Sequence, residues 1–439
     1  MPHRSFADLG VPTELCSVLA ADGITAPFPI QTSTLPDSLA GRDLLGRGRT
    51  GSGKTLAFGL AVVTRLAATP QPRSPKRPRA LILAPTRELA LQIDRTMAPL
   101  ARAMKMSTTT VFGGVGQGPQ VDALRRGIDI VIACPGRLED LIGQGHCSLD
   151  RVQVSVLDEA DHMADLGFLP GVKRLLDRVP SSAQHMLFSA TLDNGVAVLV
   201  DRYLHEPVTH SVDSEQSPVE TMVHHVLHVG DGERLPVILD LASAPGRTIL
   251  FTRTKHRAKQ LTRTLNANGV AAVEMHGNLS QAARTRNLSA FADGSVTALV
   301  ATDIAARGIH VDDVSLVIHA DPPIEHKAYL HRSGRTARAG NDGVVVTIAL
   351  DAQRREVTNL MRKAGIRPTY TTADLRSPVL QEIAPGARRR SARPVQPVAD
   401  APRPAGQRPA TPRPGGQRPG GAPRRPGSNP RGRRSTSHR

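Results

Sequence analysis

Cysteine is scarce in this 439-residue chain: Cys16, Cys134 and Cys147 are the whole complement. Thiols so far apart exclude a disulfide framework and metal-ligand spacing alike, and they point to a reducing compartment without structural zinc. Long apolar runs are missing too. No stretch approaches the roughly 18 apolar residues needed to span a bilayer, and Met1-Pro2-His3-Arg4-Ser5-Phe6-Ala7-Asp8 has no apolar signal region. A cytoplasmic protein with no membrane segment is expected. Acids and lysines are missing from the C-terminal part. Between Ala384 and Arg439 there are fourteen Arg, no Lys and one acid, Asp400, so thirteen of the seventeen net positive charges lie there and the rest is nearly neutral. That part is rich in Pro and Gly, and Arg403-Pro404-Ala405-Gly406-Gln407-Arg408-Pro409 returns ten residues later as Arg413-Pro414-Gly415-Gly416-Gln417-Arg418-Pro419. With almost nothing to bury against its ordering entropy, 371–439 is expected to be a disordered basic tail. It has no aromatic residue, so phosphate neutralisation rather than base stacking is the contact it offers a polyanion.

The remainder is long enough for two domains of roughly 150 residues, each with its own core. Short β-branched runs alternate with helical stretches, the pattern of βαβ units on a parallel sheet. Residues 43–45, 80–84, 108–112, 128–134, 152–157 and 185–188 read as strands of a first domain, 1–210. A second series, 223–229, 248–251, 271–275, 298–301, 314–319 and 344–350, belongs to a second domain, 219–370. The polar, Pro-terminated stretch 211–218 reads as the linker between them, and 69–78 as an exposed loop.

Two segments carry the chemistry. Gly48-Arg49-Thr50-Gly51-Ser52-Gly53-Lys54-Thr55 fits G-x-x-x-x-G-K-[ST], a loop whose glycines let backbone N–H groups close around phosphates. In such a loop Lys54 reaches the β/γ-phosphates and the Thr55 hydroxyl sits on Mg²⁺. Its flanks agree, with a short apolar run before it and helical spacing from Leu56 to Leu66 after it. Asp158-Glu159-Ala160-Asp161 follows the apolar run 152–157, which sets carboxylates at the C-terminal edge of a parallel sheet. There Asp158 can hold the metal through water, and Glu159 can polarise an attacking water. The pair reads as a nucleotide triphosphatase.

About ten blocks in order make residues 5 to 350 resemble the DEAD-box family of superfamily 2 RNA helicases. They are Phe6 with Gly23-Ile24-Thr25-Ala26-Pro27-Phe28-Pro29-Ile30-Gln31, the phosphate loop, Pro85-Thr86-Arg87-Glu88-Leu89-Ala90, Gly113-Gly114, Cys134-Pro135-Gly136-Arg137, the acidic tetrad and Ser189-Ala190-Thr191. The second half adds Ile249 to Thr254, His276-Gly277 with Gln281 and Arg284, Ala301-Thr302-Asp303 through Arg307-Gly308, and His331-Arg332-Ser333-Gly334-Arg335-Thr336-Ala337-Arg338. The absence of Trp and the preference for Arg fit a GC-rich bacterial genome.

The resemblance implies an α/β protein: two RecA-like parallel-sheet domains in tandem, with the disordered basic C-terminal tail. It implies an ATP-dependent RNA helicase using ATP and Mg²⁺ that unwinds short duplexes locally or remodels RNA-protein complexes. Phe6 would stack on adenine and Gln31 read its edge, while Thr50, Gly51, Ser52, Gly53, Lys54 and Thr55 hold the phosphates. Arg335 and Arg338 would act as arginine fingers. RNA would lie on Thr86, Arg87, Gly114, Arg137, Gly277, Arg284 and Thr302, mostly through its sugar-phosphate backbone and hence without reading sequence. Ser189 and Thr191 would couple the acidic tetrad to that face. His162, His276 and His331 suit hydrogen bonding better than metal ligation. Three positions depart from the family pattern: Cys134 for Thr, Ala337 for Gly, and His310 where an Asp would hold the ribose. An ATP-gated RNA clamp or scaffold and a DNA-directed helicase stay open beside the main reading; the protein partners and the particular RNA are not legible.

Overall fold

The computed structural model describes residues 4–48, 51–212, 222–306, 311, 313–336 and 343–395. Thr50, His310, Ala337 and Arg338, most of the expected linker and the tail from residue 396 lie outside the described residues.

The first domain contains strands β1 (Leu44–Arg47), β2 (Ala80–Leu83), β3 (Thr108–Val111), β4 (Ile130–Ala133), β5 (Val154–Leu157), β6 (Gln184–Ser189) and β7 (Val208–Ser211). Helices α1 (Thr13–Ala21), α2 (Pro29–Leu39), α3 (Lys54–Ala68), α4 (Arg87–Ala103), α5 (Gly118–Arg126), α6 (Pro135–Gly143), α7 (Ala160–Asp165), α8 (Leu169–Leu176) and α9 (Asn194–Tyr203) cover its two faces. The second has β8 (Met222–Val229), β9 (Arg247–Phe251), β10 (Ala272–Met275), β11 (Ala298–Ala301), β12 (Val314–His319), β13 (Gly343–Leu350) and β14 (Thr369–Thr372). Its helices are α10 (Arg234–Ala242), α11 (Lys255–Ala267), α12 (Gln281–Ala292), α13 (Asp303–Ala306), α14 (His326–Ser333), α15 (Arg354–Ala364) and α16 (Val379–Ile383).

Every strand pair is parallel, and the sheet orders are β3-β4-β2-β5-β6-β1-β7 and β10-β11-β9-β12-β13-β8-β14. The second sheet thus repeats the first strand for strand. Central strands such as Ile130–Ala133 are apolar without alternation because both faces are covered. Alternate residues serve opposite layers: Leu44 and Ile82 join the core on one face, Leu45, Leu81 and Leu83 that on the other. The second sheet is sandwiched in the same way.

Two strands were not expected, β7 and β14. Both are polar, half-exposed edge strands, so the apolar run that betrays a buried strand is missing. The tail boundary at 371 is corrected as well, because residues 371–395 are built into the second domain. Ala373 continues the pairing with His228, α16 buries Leu380 and Ile383, and a strap follows. In it Arg388 bonds Asp240 and the carbonyls of Leu380, Ala384 and Gly386, and the strap ends with Val395 N–H on the Asn266 carbonyl. Arg-rich composition hid this, since a paired Arg and a solvated one look alike in sequence.

The second sheet buries histidines. His224 on β8 shares a 2.8 Å hydrogen bond with the Tyr329 hydroxyl, and burial pushes its value down from 6.5 to about 4. Burial, with Arg332 and His224 beside it, also holds His319 well below the ordinary range, and it lowers His225 and His228. Groups depressed in this way take up protons more readily when unfolded, so their contribution is complete above about pH 6.5 and is lost as pH falls toward about 4. For His224 alone the loss approaches about 3 kcal/mol. Urea midpoints of the full chain, followed by circular dichroism, are expected to fall between pH 7.5 and 5, and less steeply in His224→Gln; equal slopes would contradict this assignment.

Candidate nucleotide and RNA site

Apart from Phe6 and Gln31, which precede β1, the described motif residues follow the C-terminal ends of strands, where an open parallel sheet offers its binding crevice. In the first sheet they divide by strand order. The loops after β3, β4 and β2 bring Gly114, Arg137, Thr86 and Arg87 to one half of the edge, and those after β5, β6 and β1 bring Asp158, Glu159, Ser189, Thr191 and Lys54 to the other.

The phosphate loop runs from β1 into α3. Gly53 at the N-cap has φ +91°, and a Cβ there would overlap the Gln31 amide and the Phe28 ring, so only glycine serves. Lys54 is buried and donates to the Gly48 carbonyl. Its ammonium opposes the effect of burial on Asp158, whose carboxyl is nevertheless pushed up to about 7, with Glu159 and Asp161 adding repulsion. Glu159 takes φ +53°, a conformation that costs a non-glycine residue on the order of 1–3 kcal/mol and tends to persist at functional sites. Its Oε2 lies 2.7 Å from His162 Nδ1. Burial works to lower the His162 value, yet the adjacent Glu159 and then Asp161 raise it above the ordinary range. Asp161 accepts from the backbone N–H and hydroxyl of Thr191 at 3.0 and 3.1 Å, and the Ser189 hydroxyl accepts from Asp161 N–H. Ser189 and Thr191 thus both contact Asp161 of the acidic tetrad.

The second sheet sets its own C-terminal edge against the first. Around the acids, the ring of His331 meets that of His162 edge to face at 4.6 Å, and His331 Nδ1 stands 3.7 Å from Asp165. Arg335 is buried nearby and its charge is felt at His162. Arg332 spends its fork on Asp303 and on the Asp321 carbonyl, while Arg335 donates from Nε to the His331 carbonyl at 3.3 Å. At the rim Lys327 pairs with Asp193 at 2.8 Å.

On the other half, Thr86 caps α4 by accepting from Leu89 N–H, and the Arg87 guanidinium fills the space beside Gly114, whose φ is +77°. Arg137 is half-buried and donates to the Val115 carbonyl. Thr302 N–H bonds the Met275 carbonyl, and Gly277 is exposed with open space around it. Between β3, α5 and α12 lies an open groove of about 1120 Å³ whose lining includes Arg95, Thr109, Val115, Gln281 and Arg286.

One expectation is corrected, and two further expected ligand residues are engaged within the protein. Phe6 is buried in the core with Leu9, Val11 and Leu15 and offers no face for stacking; Phe28, 58% exposed beside Gln31, is the ring at the surface. Gln31 is buried, with Oε1 accepting from Phe28 N–H and Nε2 donating to the Gly53 carbonyl, so its amide fastens the phosphate loop to α2 rather than facing solvent. Arg284 donates from Nε to Glu88 Oε1 at 2.9 Å, where Gln281 also donates, because the buried Glu88 carboxylate demands both. Cys134 stands at the N-cap of α6 without a cap bond, and burial pushes its thiol up to about 12. His162 is hydrogen-bonded as expected, whereas sequence reasoning gave no role to Asp165, Glu88, Asp193 and Lys327, whose partners lie far away in the chain.

Family models agree with this architecture: DEAD/DEAH box helicase matches residues 28–198, and Helicase conserved C-terminal domain matches 232–340. The chain is 38% identical over 357 residues to ATP-dependent RNA helicase RhlB of Shewanella sp. (strain ANA-3), covering 80% of this chain and 81% of that protein. The chain belongs to the DEAD-box helicase family. DEAD-box ATP-dependent RNA helicase 3A, chloroplastic, of Zea mays is 40% identical over 388 residues, 87% of this chain and 52% of that protein. The chain thus spans about half the length of that relative. Among solved structures, S. cerevisiae Dbp5 bound to RNA and ADP BeF3 superposes with a TM-score of 0.76 at 26% identity, covering 86% of this chain and 98% of that one. Among the described residues no helix is long and apolar enough to cross a membrane.

The Glu88–Arg284 pair joins the domains across the cleft with side chains only 5% and 11% exposed. Removing one partner of a buried pair costs about 3–5 kcal/mol, because the other charge is left uncompensated. Arg284→Ala is therefore expected to separate the domains in solution, seen as a larger radius of gyration by small-angle scattering, and Glu88→Gln in the same chain to reverse part of that. An unchanged radius would show that the pair does not hold the cleft.

Proposed function

We propose that this chain is an RNA-stimulated ATPase acting in the cytoplasm as an RNA helicase, with a hydrolytic site completed only when the two sheet edges meet. The observation that carries this reading is one cluster divided between domains, with buried Asp158, Glu159 and His162 from the first and half-buried His331 and buried Arg335 from the second. Phosphoryl transfer is catalysed mainly by positioning and charge, so a divided site is active when something closes it. The N–H groups at the start of α3 and Lys54 suit the phosphates of ATP, and Arg335 suits the charge developing on the γ-phosphate. Glu159 is the group to orient the attacking water. Arg338 is the second finger by resemblance.

A magnesium ion fits the residues present. Asp158 is buried among other acids, and burial raises its carboxyl to about 7, an environment in which a divalent cation would favour the carboxylate. Among the described residues no group of three or more His, Cys, Asp or Glu is arranged to hold a metal. That suits Mg²⁺, which is usually bound by one or two carboxylates plus substrate phosphates and water. Thr55 and Asp158 would hold it, and it would neutralise phosphate charge.

RNA would run along the other half of the edge, past Thr86, Arg87, Gly114 and Arg137 and into the groove bounded by α12, with Gly277 and Thr302 on the far wall. Strand contact there would reinforce the Glu88–Arg284 clasp and so hold the hydrolytic half assembled. Glu159→Gln is expected to abolish turnover while ATP-dependent RNA binding persists. Equal ATPase rates with and without RNA, or a fully active Glu159→Gln protein, would overturn this function.

The Arg-rich tail is the second RNA contact, a sequence-tolerant tether. Residues 396–439 carry ten Arg and one acid and follow the strap, so their removal leaves the strap itself intact. Each phosphate neutralised on a single strand contributes about −0.7 to the slope of log K against log salt. Losing five contacts would flatten that slope by about 3.5 and raise the RNA concentration needed for stimulation, with the maximal ATPase rate nearly unchanged. A salt series on both proteins that gives one slope would reduce the tail to a spacer.

A further inference from the structure

The acidic tetrad is followed at once by a histidine, and nothing in the proposed mechanism uses it. His162 lies in the first turn of α7, buried, with its Nδ1 2.7 Å from Glu159 Oε2. A buried carboxylate that must aim a water cannot be left to rotate, and a charge-assisted hydrogen bond from a fixed ring is the strong way to hold it. The backbone adds a reason for such a restraint. Glu159 sits at φ +53°, where a non-glycine residue persists only if its surroundings over-determine it.

The far side of the same ring meets the second domain. His331 of α14 packs against His162 edge to face with centroids 4.6 Å apart, and its Nδ1 stands 3.7 Å from Asp165, one turn further along α7. His162 is thus held on one side by the group that orients water and on the other by a residue that arrives only when the domains are together.

We propose that His162 is the positioning residue through which closure of the cleft sets the Glu159 carboxylate: His331 fixes the His162 ring, and His162 Nδ1–H fixes Glu159. This rests on the ATPase reading above. Substrate affinity should hardly depend on it, because both rings act through Glu159, which aims water rather than binding ATP. The rate of hydrolysis should depend on it strongly.

The experiment uses the full chain, single-stranded poly(U) RNA and ATP, and begins with the wild type: RNA stimulation there tests the function, and only the variants test His162. His162→Leu is expected to lower the RNA-stimulated kcat about 10- to 100-fold, the worth of a hydrogen bond to a charged group, with KM for ATP and RNA affinity within about threefold. His162→Asn sets an amide N–H where Nδ1 stood and should recover most of the rate; His162→Gln, whose amide reaches the Nε2 position, should not. His331→Leu should slow the wild type but add little to His162→Leu, as expected for two residues acting in series. Unchanged kcat in His162→Leu, equal rates for the Asn and Gln variants, or a change confined to KM would overturn the positioning role. Fully additive losses for His162→Leu and His331→Leu would remove His331 from it. Should His162→Leu fail to fold, the Asn and Gln pair decides alone.

Discussion

Three carboxylates within four residues, Asp158, Glu159 and Asp161, are buried at 2%, 5% and 3% exposure, and much of the molecule is arranged around the cost of keeping them there. A buried anion without a partner costs several kcal/mol, so each must be met. Asp158 has Lys54 beside it, Glu159 has His162, and Asp161 takes the backbone N–H and hydroxyl of Thr191. The first domain supplies these with its own loops. The second domain reaches the ring that holds Glu159, since the charge of Arg335 is felt at His162 and His331 packs against it. Domain apposition therefore changes the surroundings of that ring, which ties the state of the cleft to the acids.

The same edge carries the other half of the task at no great distance. β2 and β5 are neighbours in the sheet, so the loop bearing Thr86, Arg87 and Glu88 adjoins the one bearing the acids. Glu88 closes on Arg284 and Gln281 across the cleft on its half, as His162 closes on His331 on the other. Two clasps of different chemistry thus flank the strand ends, one an ion pair and one a pair of rings. A ligand that pulls on either half acts on both.

Much of this was readable from the chain alone. The buried strands announced themselves through continuous apolar runs, and 298–301 and 314–319 match the structure residue for residue. The phosphate loop, the acids and the Ser189–Thr191 link followed from motif order. Edge strands β7 and β14 escaped because TYTT and VTHS have no apolar run to read. A motif gives position but not burial: in the fold Phe6 fills the core, Gln31 ties α2 to the phosphate loop, and Arg284 answers Glu88. His162 illustrates the same gap from the other side. Its partner His331 lies more than a hundred and sixty positions away, a distance across which spacing carries no information.

The matched strand orders carry a consequence for biosynthesis. In each sheet the last strand in sequence pairs with the first, β7 with β1 and β14 with β8. Neither sheet can complete its ladder until its final residues have left the ribosome, and non-local parallel pairing of this kind is intrinsically slow. Each half nevertheless has cores of its own on both faces, so the first can finish once Ser211 has emerged, while the second is still being made. Until then the open flank of β1, which leads into the phosphate loop, is an unpaired strand edge waiting for β7, as β8 later waits for β14, and each such edge is a place for wrong pairing in the nascent chain.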